Sequence, residues 1–323
     1  MLQQNRNISL DLLRIFACIG VITIHTAGSP IFHHMVEPGT LWYNECLVMD
    51  ALVRWSVPVF AMLTGFFMLD GNKELPIRKL LTKNVLRMVV ALVVWSAFYA
   101  ATLHMSLLPF GSQGGHFWYL GMVIGLYLSM PILRMIAANK SLLAYFCWTW
   151  LFFMCYKFLG RFFALPIDLD NVVFVDYAGY ALWGAYSKEL LPKVSKWILC
   201  AIAGGGQVLT IFAVIYSQNN ETPFFSYVSP GVIAFSIIWF YLFASCELHC
   251  PDWIARIIRT LSDCTFGIYL VHMWILIQVF TRVHRFIEQP ILLTIVCVGM
   301  AFVGGFIISY LLKKIPYINK YIC

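Results

Sequence analysis

The sequence predicts an all-α, polytopic integral membrane bundle of about ten transmembrane helices, with both termini cytoplasmic, and three observations predict it. Hydrophobic residues fill 61% of the 323 positions and charged residues only 11%, with a mean hydropathy of +0.80. A soluble domain carries about 25% charged residues. Apolar runs of spanning length, parted by short polar breaks, recur from end to end. The cations also sort by side. Arg6, the Lys73 to Arg87 group, Arg134, Lys140, the Lys188 to Lys196 group, Arg256, Arg259, Lys313, Lys314 and Lys320 fall together if the N-terminus is inside, leaving Arg282 and Arg285 outside. That bias is the positive-inside pattern, so the net charge of +7 reports topology and anionic lipid, not nucleic acid.

The expected spans run 8–28, 46–69, 85–105, 117–136, 142–164, 172–187, 197–217, 228–247, 264–281 and 290–312, in a single unit, 1–323. The first follows a short polar start and contains Asp11 and Arg14, so it reads as a retained helix, not a cleaved leader. The second contains Arg54 and Pro58, and the proline should kink it. The third follows a basic stretch that includes Lys83 and Arg87. The fourth is preceded by Gly114-Gly115-His116-Phe117-Trp118-Tyr119, which suits an outer-face loop for sugar stacking or an aromatic belt. The fifth carries Lys157 and Arg161 one turn apart near its outer end, and the sixth is short. Ser262-Asp263 reads as the N-cap of the ninth. No internal repeat or additional soluble domain is evident.

Ten cysteines are scattered with no CxxC pair, so neither a disulfide framework nor a zinc site is indicated. Cys246, His249 and Cys250 have one-turn spacing but lack a second cluster, and no metal or bound cofactor is expected. His33, His34 and His104 read as loop or interface residues.

Arg14 and His25 are the most informative pair. Eleven steps at ~100° and ~1.5 Å bring His25 to within ~20° of the Arg14 face and ~16 Å further along the axis. An intramembrane cation costs ~2.5 kcal/mol or more, so it points to function. Imidazole is the side chain best poised to exchange a proton near neutrality. Asp11, three residues before Arg14, is placed to hold the guanidinium. Arg54 should face the interior, either lining a wet cavity or paired with Asp50 or Asp11. His272, mid-span, is a further candidate for the cavity.

These residues resemble a known family. Asp11-Leu12-Leu13-Arg14, ten residues and then His25-Thr26 is similar to the signature of the membrane-bound acyltransferase-3 family, with an Arg or Lys eleven positions before a His in the first helix. Val57-Pro58-Val59-Phe60 through Thr64-Gly65-Phe66, then His116-Phe117-Trp118-Tyr119 with Gly125-Leu126-Tyr127 and Pro131, then Gly267-Ile268-Tyr269-Leu270-Val271-His272 follow in family order. The compact form resembles the branch that includes the enterobacterial common antigen O-acetyltransferase. One departure stands out: an Arg-x-x-Arg at the start of the third helix is here Asn84-Val85-Leu86-Arg87. Lys83 is the nearest substitute, yet Lys does not reproduce a bidentate guanidinium contact.

The resemblance implies transfer of an acyl group, usually acetyl from cytoplasmic acetyl-CoA, to a hydroxyl of a cell-surface polysaccharide or its polyprenyl-linked precursor, in a bacterial inner membrane. His25, with Arg14 and Asp11, is then the catalytic candidate, as a base or as an acyl carrier. Arg14, Arg54, Lys83 and Arg87 are candidates for holding acyl-CoA, and His116, Trp118, Tyr119, Lys157 and Arg161 for the acceptor. The alternative is a transporter or flippase of a lipid-linked glycan, in which the same residues only line a polar path.

Overall fold

The computed structural model describes residues 7–71, 74–103, 115–163, 176–190, 194–218, 222–316 and 318–321. Arg6, Lys73, His104, Gly114 and Lys193, with the ends of the third, fifth and sixth expected spans, lie outside them. In chain order the helices are α1 (Ile8–Phe32), α2 (Leu41–Val53), α3 (Ser56–Met68), α4 (Ile77–Lys79), a π-helical segment (Leu80–Val85), α5 (Leu86–Leu103), a 3-10 turn (Gly115–Phe117) and α6 (Trp118–Ala138). They continue with α7 (Lys140–Leu159), α8 (Asp176–Leu190), α9 (Lys196–Ser217), a second 3-10 turn (Pro223–Phe225), α10 (Pro230–Ala244), α11 (Asp252–Val283), α12 (Pro290–Lys313) and α13 (Ile318–Tyr321). Among the described residues there is no strand, and nine helical stretches are long and apolar enough to cross a bilayer. The molecule is therefore an all-α, multi-pass membrane bundle. Its outer surface agrees, since Val93, Ile132, Phe152, Leu209 and Ile295 stand exposed on five spans, as hydrocarbon requires.

Ten spans were expected, and the difference is α8. At 15 residues its described length is about 22 Å, short of a ~30 Å hydrocarbon core. Tyr180, Ala181, Leu182 and Trp183 are all buried, so neighbouring helices enclose it on every side. Its closest neighbour is α3, and the two touch through reciprocal glycines. A methyl group on Gly65 would lie 1.9 Å from the Ala181 carbonyl oxygen, and one on Gly184 2.1 Å from that of Met62. Without a hydrophobic force between helices in lipid, such small-residue contacts let backbones approach and pack.

α1 begins where the Asn7 side chain accepts from the Ser9 and Leu10 amides, at 2.9 and 3.3 Å. It then runs through the middle of the bundle against α2, α3, α11 and α12. At Gly20 it comes close enough to α3 that an added methyl would meet Ser56 Cβ at 2.8 Å.

The kink expected from Pro58 is a break between α2 and α3 at Arg54 and Trp55. Proline has no N–H to give the Arg54 carbonyl, so the ladder is interrupted where the guanidinium leaves the helix. Asp50, one turn earlier, takes that guanidinium in both oxygens, from Nε at 2.7 Å and Nη2 at 2.5 Å. The Phe225 and Tyr227 rings cover it, with centroids at 4.6 and 5.3 Å. Of the partners considered for Arg54, Asp50 is the one used.

α11 corrects the reading of Ser262-Asp263 as an N-cap. The helix starts ten residues earlier, at Asp252, and both residues lie inside it. The amphipathic first turns, with Arg256 and Arg259 among apolar residues, look like a loop to a hydropathy window but continue the helix.

Two outcomes are expected. Gly65→Ala should lower the thermal midpoint in detergent by an amount corresponding to about 1–3 kcal/mol of overpacking, while Gly28→Ala, where nothing lies within 4 Å, leaves it in place. Asp50→Ala should destabilise by about 3–5 kcal/mol because it strands the guanidinium, and an Asp50→Ala, Arg54→Met double variant should recover much of the loss in the same assay.

Candidate active site

Arg14 and His25 line one cavity of about 470 Å³ that follows the inward face of α1. The eleven-residue spacing places them at different depths in it, as the helical geometry requires. At the Arg14 end the contacts come from α1 and α11. Arg14 donates to Asp11 Oδ1 at 3.3 Å and to Ser262 Oγ at 3.1 Å, and Ser262 donates in turn to Asp11 Oδ1 at 2.7 Å. The Phe67 ring lies 5.7 Å from the guanidinium carbon. The Asp11 side chain is 3% exposed and that of Arg14 25%, so the carboxylate is fixed inside while the guanidinium reaches the cavity.

A second cavity, of about 680 Å³, opens beside this end. Arg78, Lys79, Lys83, Asn84 and Arg87 line it, and it shares Arg87, Met88 and Tyr127 with the first. The π-helical turn at Leu80–Val85 lies in this wall, and wider turns of this kind often mark functional sites. Arg87 packs over Phe266 of α11 at 4.9 Å, and Lys313 of α12 also lines the first cavity. Cations from α4, the π-helical turn, α5 and α12 thus gather where the two cavities join.

The His25 end is aromatic. His116 is not an exposed loop residue: the 3-10 turn Gly115–Phe117 directs it inward, and it is 4% exposed. Gly115 has φ +53°, a conformation that favours glycine. The His116 ring centroid lies 6.3 Å from that of His25, and the His272 centroid 5.4 Å from it. His116 and His272 are 5.0 Å apart, so three imidazoles from three elements converge. His272 is fully buried and does not line the cavity; it stands behind His25. Among the described residues no such group is arranged to hold a metal ion. Trp118 and Tyr227 stack at 5.8 Å, with Tyr177 of α8 beside them at 5.7 Å from Trp118, and Tyr119 packs against Tyr269 at 5.6 Å.

Arg54 does not join Lys83 and Arg87. It lines a third pocket, of about 330 Å³, together with Lys157 and Arg161, and Tyr227 separates that pocket from the His25 end. The structure thus places Arg54 apart from the other residues expected to hold the acyl donor: the α2/α3 break carries it toward α7, and Asp50 holds it there. His33 and His34 are exposed at the end of α1.

Ser262, Tyr227 and Tyr269 were not expected here. The signal for two of them was present, since Ser262, Thr265, Tyr269 and His272 recur at three- and four-residue spacing along one face of α11. Starting the helix at Ser262 hid the stripe. Tyr227 lies in an irregular segment before α10 and carries no periodicity.

No curated protein and no solved structure matches the chain. A family model described as an acyltransferase domain, that of the acyltransferase-3 family, matches residues 7–312, which include every residue lining the two joined cavities except Lys313, Asn319 and Tyr321. The chain belongs to the acyltransferase-3 family of membrane acyltransferases.

Proposed function

We propose that this acyltransferase moves an acyl group, with acetyl first in line, from cytoplasmic acyl-CoA to a hydroxyl of a cell-surface polysaccharide or its lipid-linked precursor. The single observation that carries the reading is the pair of joined cavities, basic at one end and walled by aromatic rings and imidazoles at the other. A donor with phosphates at one end and a thioester on a long arm at the other matches that polarity. Arg87, Lys83 and Lys79 serve the phosphates, and the guanidinium of Arg14, fixed by Asp11 and Ser262, stands where the arm passes inward. The positive-inside distribution favours a cytoplasmic face for the basic cavity, and the resemblance supports a bacterial inner membrane.

The aromatic end suits a sugar. Trp118, Tyr227 and Tyr177 offer apolar faces with polar edges. Arg54, Lys157 and Arg161 in the adjoining pocket favour an acceptor that carries negative charge. His25 then meets both reactants. As general base it takes the hydroxyl proton, the hydroxyl oxygen attacks the thioester carbonyl, and the departing CoA thiolate takes the proton back as thiol. The apolar and aromatic walls around His25 limit how far bulk water competes as acceptor.

The test compares the protein with His25→Ala at matched membrane levels in a host that makes candidate surface glycans, with ester-linked acetyl on glycan quantified by mass spectrometry. Acetyl with the parent and none with the variant is expected; equal acetyl from both would remove His25 from the reaction. Glycan that crosses the membrane unmodified in both would favour transport. In purified protein, Arg87→Gln should raise KM for acyl-CoA about tenfold or more, the cost of a hydrogen bond to a charged group, with a smaller change in kcat.

A further inference from the structure

The two imidazoles around His25 are each left with one buried nitrogen that has no hydrogen-bond partner, Nε2 of His116 and Nε2 of His272. Buried polar atoms are almost always satisfied, so such an orphan needs a reason. For His272 the geometry supplies one. Its Nδ1 lies 2.6 Å from the carbonyl oxygen of Tyr269, one turn back on α11. A carbonyl only accepts, so Nδ1 carries the proton and, in the neutral ring, Nε2 is left as an acceptor. The Ile268 carbonyl, four residues back, also accepts from the ring, which likewise requires a proton on Nδ1, and the ring is fully enclosed. The orphan acceptor therefore sits beside His25, with the ring centroids 5.4 Å apart and the rings tilted by 43°.

The main chain around His272 is held by Tyr99 of α5. The Tyr99 hydroxyl accepts from the Trp274 amide at 3.0 Å and donates to the Leu270 carbonyl at 3.1 Å. Those are the two groups that a regular helix bonds to each other, so a side chain from a neighbouring helix bridges the ladder two residues to either side of His272. The same Tyr99 ring packs on His116 at 5.3 Å, while Tyr269 donates to the His116 carbonyl at 2.6 Å. The Tyr99 hydroxyl thus ties α5 to the α11 turn that carries His272, and the Tyr269 hydroxyl ties that turn to His116.

Resting on the acyl-transfer reading above, we propose that His272 is a positioning residue for His25: its Nε2 accepts the N–H of His25 while the opposite ring nitrogen of His25 takes the acceptor hydroxyl proton, and Tyr99 holds His272 in that register. In the step, the hydroxyl O–H breaks and its proton passes to His25 as the ester C–O bond forms. The C–S bond then breaks, the electron pair leaves with the thiolate, and the proton follows from His25. His272 gains and loses nothing; it fixes the His25 ring and stabilises the transient imidazolium, the part a carboxylate plays in a Ser-His-Asp arrangement. The bond forms as the reactants fill the cavity, since catalytic hydrogen bonds commonly tighten only then.

The experiment has two readouts on full-length protein in bilayers. The first is the ¹⁵N NMR spectrum of histidine-labelled protein, with His272 assigned by its loss in His272→Gln. A pyrrole-type Nδ1 and a pyridine-type Nε2 are expected at His272, whether or not any acyl group moves. A protonated Nε2 would overturn the proposal by removing the acceptor. The second readout is acyl-transfer kinetics. His272→Phe should lower kcat about 100-fold with KM for acyl-CoA unchanged, and His272→Gln, which keeps an amide oxygen, should retain more activity than His272→Phe. Tyr99→Phe should lower kcat as well, and combining it with His272→Phe should add little, because one acts through the other. A His272→Phe protein with parental kcat would overturn the role. A parent with the expected tautomers that acylates no glycan would sink the acyl-transfer reading and leave the His272 tautomer standing.

Discussion

Hydrocarbon offers no partner to the guanidinium of Arg14, and the helices around α1 are arranged so that it never needs one. The Asp11 carboxylate is buried a turn away, and Ser262 of α11 bonds to both members of the pair. This obliges α11 to lie along α1, and α11 in turn brings Tyr269 and His272 to the depth of His25. α1 also meets α3 where Gly20 lets Ser56 approach, beside the Pro58 break that carries Arg54. A single requirement, that a cation inside a membrane be enclosed, thereby orders the walls of the site.

The same requirement explains why the site is a cavity and not a packed core. Long basic side chains gather at one end, where Arg87 and Lys313 reach the cavity from α5 and α12, and the bundle cannot close over them without burying their charge. At the other end aromatic rings from α6, α8, α11 and the segment before α10 meet stacked, tilted or edge to face, which leaves flat surfaces where a fully apolar core would interdigitate. The closest backbone contacts at glycines lie on the flank. There α3 and α8 join through Gly65 and Gly184, and the described part of α8 braces the spanning helices beside it. Rigidity in that layer holds the mouth residues Tyr177 and Tyr227 in place, the latter through the Tyr180 hydroxyl, which donates to the Tyr227 carbonyl.

Arg54 shows how a buried charge can serve structure and chemistry at once. Its bidentate contact with Asp50 and the rings of Phe225 and Tyr227 account for its stability at that depth. The same contacts aim it at the pocket of Lys157 and Arg161, beside the aromatic end of the reaction cavity. The structural partner foreseen for it and a role toward an anionic acceptor are therefore compatible.

Nine of the ten expected spans, the family and the shared face of Arg14 and His25 were legible in the sequence because each depends on local pattern: hydropathy over about twenty residues, short motifs, and the 3.6-residue period of one helix. What lies within one turn was legible too, as with Asp11 beside Arg14 and Asp50 beside Arg54. Relations between elements were not. Nothing local shows that His116 turns inward, that Arg54 parts from Lys83 and Arg87, or that Ser262 belongs to the Arg14 contact 248 positions away. The hydroxyl of Tyr99 reaches the α11 main chain across 171 positions, and only the folded chain decides it. Those contacts are set by which helix faces meet, and helix faces in lipid meet through small residues and buried polar pairs whose partners a single sequence does not name.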